Sequence, residues 1–144
     1  MPSAGSRTPW TVRFFRRHRD DDPAESFPGL VFLASSPDKV RRTLLSILQA
    51  VATAPPPSFS GGGMWEAMHG EMAGYFEART HGPDHRLYRL FCLLEREVPG
   101  LDRPAVVVID GLSKPVGTAL ATDDYARVRE LGEEYRGRTP RNLM

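Results

Sequence analysis

Along "SPDKVRRTLLSILQAVAT", residues 36–53, apolar side chains recur at positions 40, 44, 47, 48 and 51, the spacing of one helical face. With Ser36 as cap and Pro37 at the first position, the pattern predicts a helix over 37–53. Further on, "MAGYFEAR" at 72–79 alternates, with Phe76 and Ala78 on one face and Tyr75, Glu77 and Arg79 on the other, as in a half-buried strand. "HRLYRLFCLLE" at 85–95 and "AVVVIDGLSK" at 105–114 are apolar on both faces, which predicts central strands. The turns between them are "THGPD" and "VPGLDRP".

A closing helix is predicted in "TDDYARVRELGEEYRGR". Thr122 serves as cap, Asp123 and Asp124 occupy the first turn, and Tyr125, Val128, Leu131 and Tyr135 form one stripe before Gly137. Near the start, "WTVRFF" reads as a short strand, while "PAESFPGLVFLAS" reads either as a short helix or as a turn interrupted by Pro28. The order is a strand, one or two helices, three antiparallel strands and a last helix. That order predicts an α+β domain, a small antiparallel sheet with helices packed on one face.

The chain of 144 residues suits one domain, expected over 10–137, with a flexible stretch at 1–9 and a mobile tail at 138–144. "APPPSFSGGG" at 54–63 reads as a linker within the domain. No apolar run approaches the roughly 18 residues of a membrane helix, and the opening "MPSAGSRTPW" has no segment of signal-peptide type. With a single cysteine, Cys92, excluding an intrachain disulfide, the expectation is a cytoplasmic protein without membrane partners. The net charge of +1 does not advertise nucleic acid by itself. Distribution matters more: "RTPWTVRFFRRHR" is strongly basic before "DDD" at 20–22 answers it, as a solvated face does more often than a phosphate-contacting stripe.

Arginine placement changes the picture most. If Arg79 ends one strand while Arg86 and Arg89 lie on its hairpin neighbour, these groups fall within one or two residues of each other across the pair. Lys114 reaches the same end only if the third strand aligns suitably. Clustered cations persist where carboxylates intervene or where an anion is to be held. Glu77 and Glu95 are available to neutralise two of them, so ion-paired surface arginines and an anion site both stand at this point.

The stretches "MHGEMAGYFEARTHGPDHRLYRLFCLLE", "VVVIDGLSKP" and "DDYARVRELGEEYR" resemble the RelE/HigB superfamily of toxins from type II toxin–antitoxin systems, particularly its phage-derived HigB-like branch. The pattern is a strand ending E-x-R, a turn, a Y-R pair opening an apolar strand, a strand ending G-x-x-K, and a helix. It covers 65–136, and more loosely the W-x-V-x-F-F strand and K-V-R-x-x-L-L helix before it. The resemblance implies a RelE-like fold and a ribosome-associated endoribonuclease that cuts messenger RNA by attack of a ribose 2′-oxygen on the adjacent phosphate. It implies Arg89 as the group holding the scissile phosphate, Arg79 and Lys114 as supporting cations, and Tyr125 as a further functional residue. Arg86, His85 and Tyr75 are the expected RNA-contacting residues. A small antitoxin of helix-turn-helix type and messenger RNA on the ribosome are the implied partners, and no cofactor or metal is implied. This chain departs from the pattern at Tyr75 and Glu77, where some relatives carry lysines, and at Pro115, where a second basic residue is frequent. Two alternatives stay open: a catalytically silent relative that binds RNA or protein through the same cleft, and a ParE-like inhibitor of gyrase.

Other motifs carry less. His81 and His85 flank a Gly-Pro turn without the companions of a metal site, although His85 is a candidate general base because it precedes Arg86; His69 and His18 show no usable pattern. Cys92 is expected to be a small buried hydrophobe. "SGGGMW" lacks the lysine of a phosphate loop, and Trp65 is expected to pack rather than stack on a base.

Overall fold

A computed structural model describes residues 8–54, 63–120, 122–138 and 143. Five strands and three helices follow in the order β1 (Thr11–Phe14), α1 (Pro28–Ala34), α2 (Asp38–Thr53), β2 (Trp65–Ala67), β3 (Tyr75–His81), β4 (Arg86–Glu95), β5 (Ala105–Pro115) and α3 (Thr122–Arg136), with a 3₁₀ turn at Gly70–Met72. The sheet order is β1-β5-β4-β3-β2. The α+β class is that expected from the sequence.

Its layering differs from the expectation in two ways. First, β1 runs parallel to β5, with Thr11 opposite Ala105 and Phe14 opposite Val108, so the sheet is mixed rather than wholly antiparallel. Second, helices cover both faces. Val40, Leu44, Ile47, Leu48 and Val51 of α2 pack with Ala78, Leu90, Cys92 and Val108 on one side, whereas Val128, Leu131 and Tyr135 of α3 pack with Tyr75, Phe91, Leu93 and Val107 on the other. The reason is in the central strands. Successive side chains of β4 and β5 are apolar in both directions, and a sheet with two apolar faces needs a cover on each.

Local signals explain where elements begin. Pro28 opens α1 instead of interrupting it, since a proline at the first helical position gives up an N–H that has no partner there anyway. Pro37 is the residue before α2, and Ser36 does not cap it; the Ser36 hydroxyl donates to the Phe32 carbonyl at 2.7 Å, closing α1. The residue before Thr122 and residues 55–62 of the linker expected at 54–63 lie outside the described residues. β2 and the 3₁₀ turn answer no expectation from the sequence, as three residues are too few to show a period. Of the expected flexible start, Thr8 is tied down, its carbonyl accepting from Arg103 Nη1 at 2.7 Å. In the expected mobile tail, Leu143 pairs antiparallel with Phe15, so the chain returns to the β1 edge at that residue.

Between Phe91 and Cys92 the β4–β5 register shifts, Phe91 facing Asp110 and Cys92 facing Val108, so Ile109 is the extra residue of a bulge. Gly132 marks the closest approach of α3 to the sheet, for a Cβ there would run into the Tyr75 hydroxyl. No helix among the described residues is long and apolar enough to cross a membrane.

Candidate functional site

Antiparallel pairing of β3 with β4 sets Arg79 directly opposite Arg89, and Glu77 opposite Phe91. Because side chains alternate, Tyr75, Glu77 and Arg79 share the face on which Phe91 and Arg89 lie, the face α3 covers. Two like charges set opposite each other repel unless something intervenes. Glu77 does so. Its Oε2 accepts from Arg89 Nη1 at 2.9 Å and its Oε1 from Arg79 Nη1 at 3.2 Å. A second like pair, Glu66 opposite Glu77 on β2 and β3, is relieved by the same arginine, whose Nη2 donates to Glu66 Oε1 at 2.9 Å. Arg79 Nε is also occupied, donating to the Gly63 carbonyl at 2.7 Å.

The two guanidinium groups therefore differ. Arg79 has all three of its nitrogens engaged, whereas among the described residues Arg89 donates only through Nη1. Arg89 lines a cleft of about 350 Å³ together with Glu66, His69, Glu71, Met72, Glu77 and Tyr125. Tyr125 reaches it from the first turns of α3 and is steadied by an edge contact with Phe91, ring centres 6.4 Å apart. His69 enters from the residue before the 3₁₀ turn and is exposed, its carbonyl accepting from the Met72 amide at 3.2 Å. Its place was invisible in the sequence, because it depends on β2 lying at the sheet edge.

Expected site residues thus divide. Arg89 and Tyr125 come together in the cleft. Arg79 stands beside it, held by two carboxylates and a carbonyl, and Arg89 is itself paired with Glu77, so of the two readings the sequence left open, ion-paired arginines describes both residues. Lys114 shares the α3 face, one step nearer the hairpin end, where its Nζ lies 3.4 Å from Asp124 Oδ2, and it does not line the cleft. Arg86 points to the opposite face with Tyr88, donating from Nε to Ser113 Oγ at 3.1 Å and from Nη2 to the Ser113 carbonyl at 3.0 Å. His85 sits in the exposed hairpin turn with φ of 58°, ahead of the strand it was expected to open. Tyr75 is buried beneath α3, and that burial pushes its hydroxyl pKa up, so it is a core residue rather than a base-stacking one.

Cys92 is wholly buried and its thiol is pushed upward by burial, which fits the packing role expected of it. Trp65 is buried and stacked on Phe76, again in the core. Among the described residues no group of three or more His, Cys, Asp or Glu side chains is placed to hold a metal ion. A second hollow of about 460 Å³ lies between α1, β5 and the start of α3. Its charged lining is Asp110, Asp123, Asp124 and Arg127, three carboxylates to one arginine, the same ratio as Glu66, Glu71 and Glu77 to Arg89 in the smaller cleft. The Arg89 cleft is the better candidate for anion chemistry because each of its carboxylates is ion-paired with a further arginine, Glu66 and Glu77 with Arg79 and Glu71 with Arg129. Asp110 is buried there, and loss of solvent raises its carboxyl pKa, against the pull of the Gly111 amide and of Arg127, whose Nε lies 3.5 Å away.

No protein-family model, no curated protein and no solved structure matches the chain.

Proposed function

We propose that this chain is an RNA-cleaving toxin of the RelE/HigB type, acting on messenger RNA at the ribosome in the cytoplasm and restrained by a small antitoxin. One observation carries the reading: Arg89, on a central strand, lines a cleft with Tyr125 and His69 and, among the described residues, spends one N–H, on Glu77. Cleavage of a phosphodiester by its own 2′-oxygen places extra negative charge on the phosphoryl oxygens, and a planar guanidinium supplies paired donors to them. The 2′-hydroxyl gives up a proton as its oxygen bonds to phosphorus, the bond to the 5′-oxygen breaks, and that oxygen takes a proton. In this reading His69 accepts the first proton and the Tyr125 hydroxyl donates the second. A 2′,3′-cyclic phosphate and a 5′-hydroxyl result.

Induced expression tests the reading: growth arrests and transcripts are cut, and Arg89→Ala abolishes both. Undisturbed growth with intact transcripts under full induction rejects it.

A second reading, a catalytically silent module that binds RNA or protein through the same cleft, is favoured by the carboxylates already bound to Arg79 and Lys114. Retained ribosome binding without transcript cutting in a translation extract selects it. A ParE-like action on gyrase has no observation of its own here.

A further inference from the structure

Glu77 is enclosed by the sheet and α3, its side chain only 5% exposed, and it is shared by two arginines. An enclosed carboxylate with one cationic partner does not release it readily, since departure strands an unpaired charge away from water. With two partners the situation is different. If Arg89 leaves Glu77 for another anion, Arg79 remains at 3.2 Å, itself fastened by the Gly63 carbonyl and Glu66.

We propose that Arg79 is a positioning residue that keeps Glu77 neutralised, so that Arg89 can transfer Nη1 from Glu77 to the phosphate of an incoming RNA. Arg79 thereby acts through Glu77 without touching the substrate. The inference deepens the reading of the cleft as an RNA site and rests on it. Two features of the geometry argue for this division of labour. Arg79 has three of its five N–H groups spent, one on every nitrogen, and among the described residues Arg89 has one contact to give up. Before RNA arrives the group is balanced, with Arg79 and Arg89 against Glu66 and Glu77. Removing the Arg79 charge leaves Arg89 as the sole cation on a buried carboxylate, and the phosphate must then compete with Glu77 for it.

Competition of this kind predicts rescue. Arg79→Gln slows cleavage at least tenfold, whereas adding Glu77→Gln to it removes the competitor and restores at least tenfold of the loss. A direct phosphate contact by Arg79 predicts no restoration, and a merely architectural role predicts that the second substitution makes matters worse.

The experiment is single-turnover cleavage of a defined messenger on purified ribosomes by the full chain, comparing wild type, Arg89→Ala, Arg79→Gln, Arg79→Lys and the Arg79→Gln/Glu77→Gln double variant. Arg79→Lys keeps the charge and is expected to cut within a few-fold of wild type, a comparison that stands if the glutamine variant fails to fold; a loss of tenfold or more in folded Arg79→Lys overturns the inference. Wild-type cutting that needs Arg89, with the double variant at least tenfold faster than Arg79→Gln, is the expected result. A double variant no faster than Arg79→Gln, or Arg79→Lys as slow as Arg79→Gln, overturns the inference while leaving the nuclease reading intact. Messenger left whole by the wild type, or cut equally by Arg89→Ala, overturns the nuclease reading and this inference with it.

Discussion

Arg89 and Glu77 meet at 2.9 Å, Nη1 to Oε2, one residue diagonal to the other across the β3–β4 pair. Diagonal neighbours on antiparallel strands are within reach of long side chains, and this contact aims a guanidinium at the cleft. It also holds the hairpin. Glu77→Ala removes the carboxylate between two arginines and leaves Arg79 and Arg89 facing each other. Both guanidinium groups retain some solvent, so the expected loss is roughly 1–3 kcal/mol, below the usual cost of breaking a fully buried pair. Urea denaturation at neutral pH measures it, and an unchanged midpoint contradicts it.

Helix α3 owes its position to a missing side chain. In an exposed helix Gly132→Ala is worth about 1 kcal/mol of extra stability. Here the added methyl meets the Tyr75 hydroxyl and must push α3 away from β3. Overpacking of a tight core costs about 1–3 kcal/mol, so net destabilisation is expected. A lowered urea midpoint for Gly132→Ala, relieved by combining it with Tyr75→Phe, is the predicted pattern; stabilisation by the single change refutes it.

Asp110 gives the fold a pH dependence of known sign. Burial raises its carboxyl pKa above the ordinary 3.8, so the folded state holds this proton more tightly than the unfolded chain does. Stability from this group therefore falls as pH rises from the unfolded value through the folded one, and the charged form opposes folding above that window. Asp110→Asn keeps an acceptor for the Gly111 amide and is expected to be more stable than wild type at pH 7, the advantage vanishing as pH falls toward 3.8. Thermal melts across that range decide the matter; a less stable Asp110→Asn at pH 7 would show that the 3.5 Å contact with Arg127 outweighs desolvation.

His69 stands apart from the arginine network. His69→Gln is expected to slow cleavage on ribosomes about 10²-fold, the usual scale for loss of a positioned proton acceptor. An unchanged rate assigns the proton transfer elsewhere.

Much of the fold was legible because its elements bury complete patterns. The stripe from Val40 to Val51 becomes the buried face of α2, and the two-sided apolar runs become β4 and β5. The same two-sided runs argue for helices on both faces. Assigning all helices to one face missed that consequence. β2 escaped because Trp65–Ala67 has one buried position and no period. For the site, the alternation that put Tyr75, Glu77 and Arg79 together was readable, but its meaning depended on cross-strand register and on what lay above each residue. Register set Arg79 against Arg89 with Glu77 between them, and α3 made Tyr75 a core residue. Arg86 differs from Arg89 by an odd number of positions along one strand, so the alternation alone placed them on opposite faces.

The most direct test of the central claim reads the chemistry of the cut ends. Messenger programmed on purified ribosomes is incubated with the full chain, and the fragment termini are mapped chemically. Fragments ending in a 2′,3′-cyclic phosphate and beginning with a 5′-hydroxyl, absent when Arg89→Ala replaces the wild type, are predicted. Messenger that stays whole, or fragments that form equally well without the Arg89 guanidinium, would contradict an Arg89-centred ribonuclease.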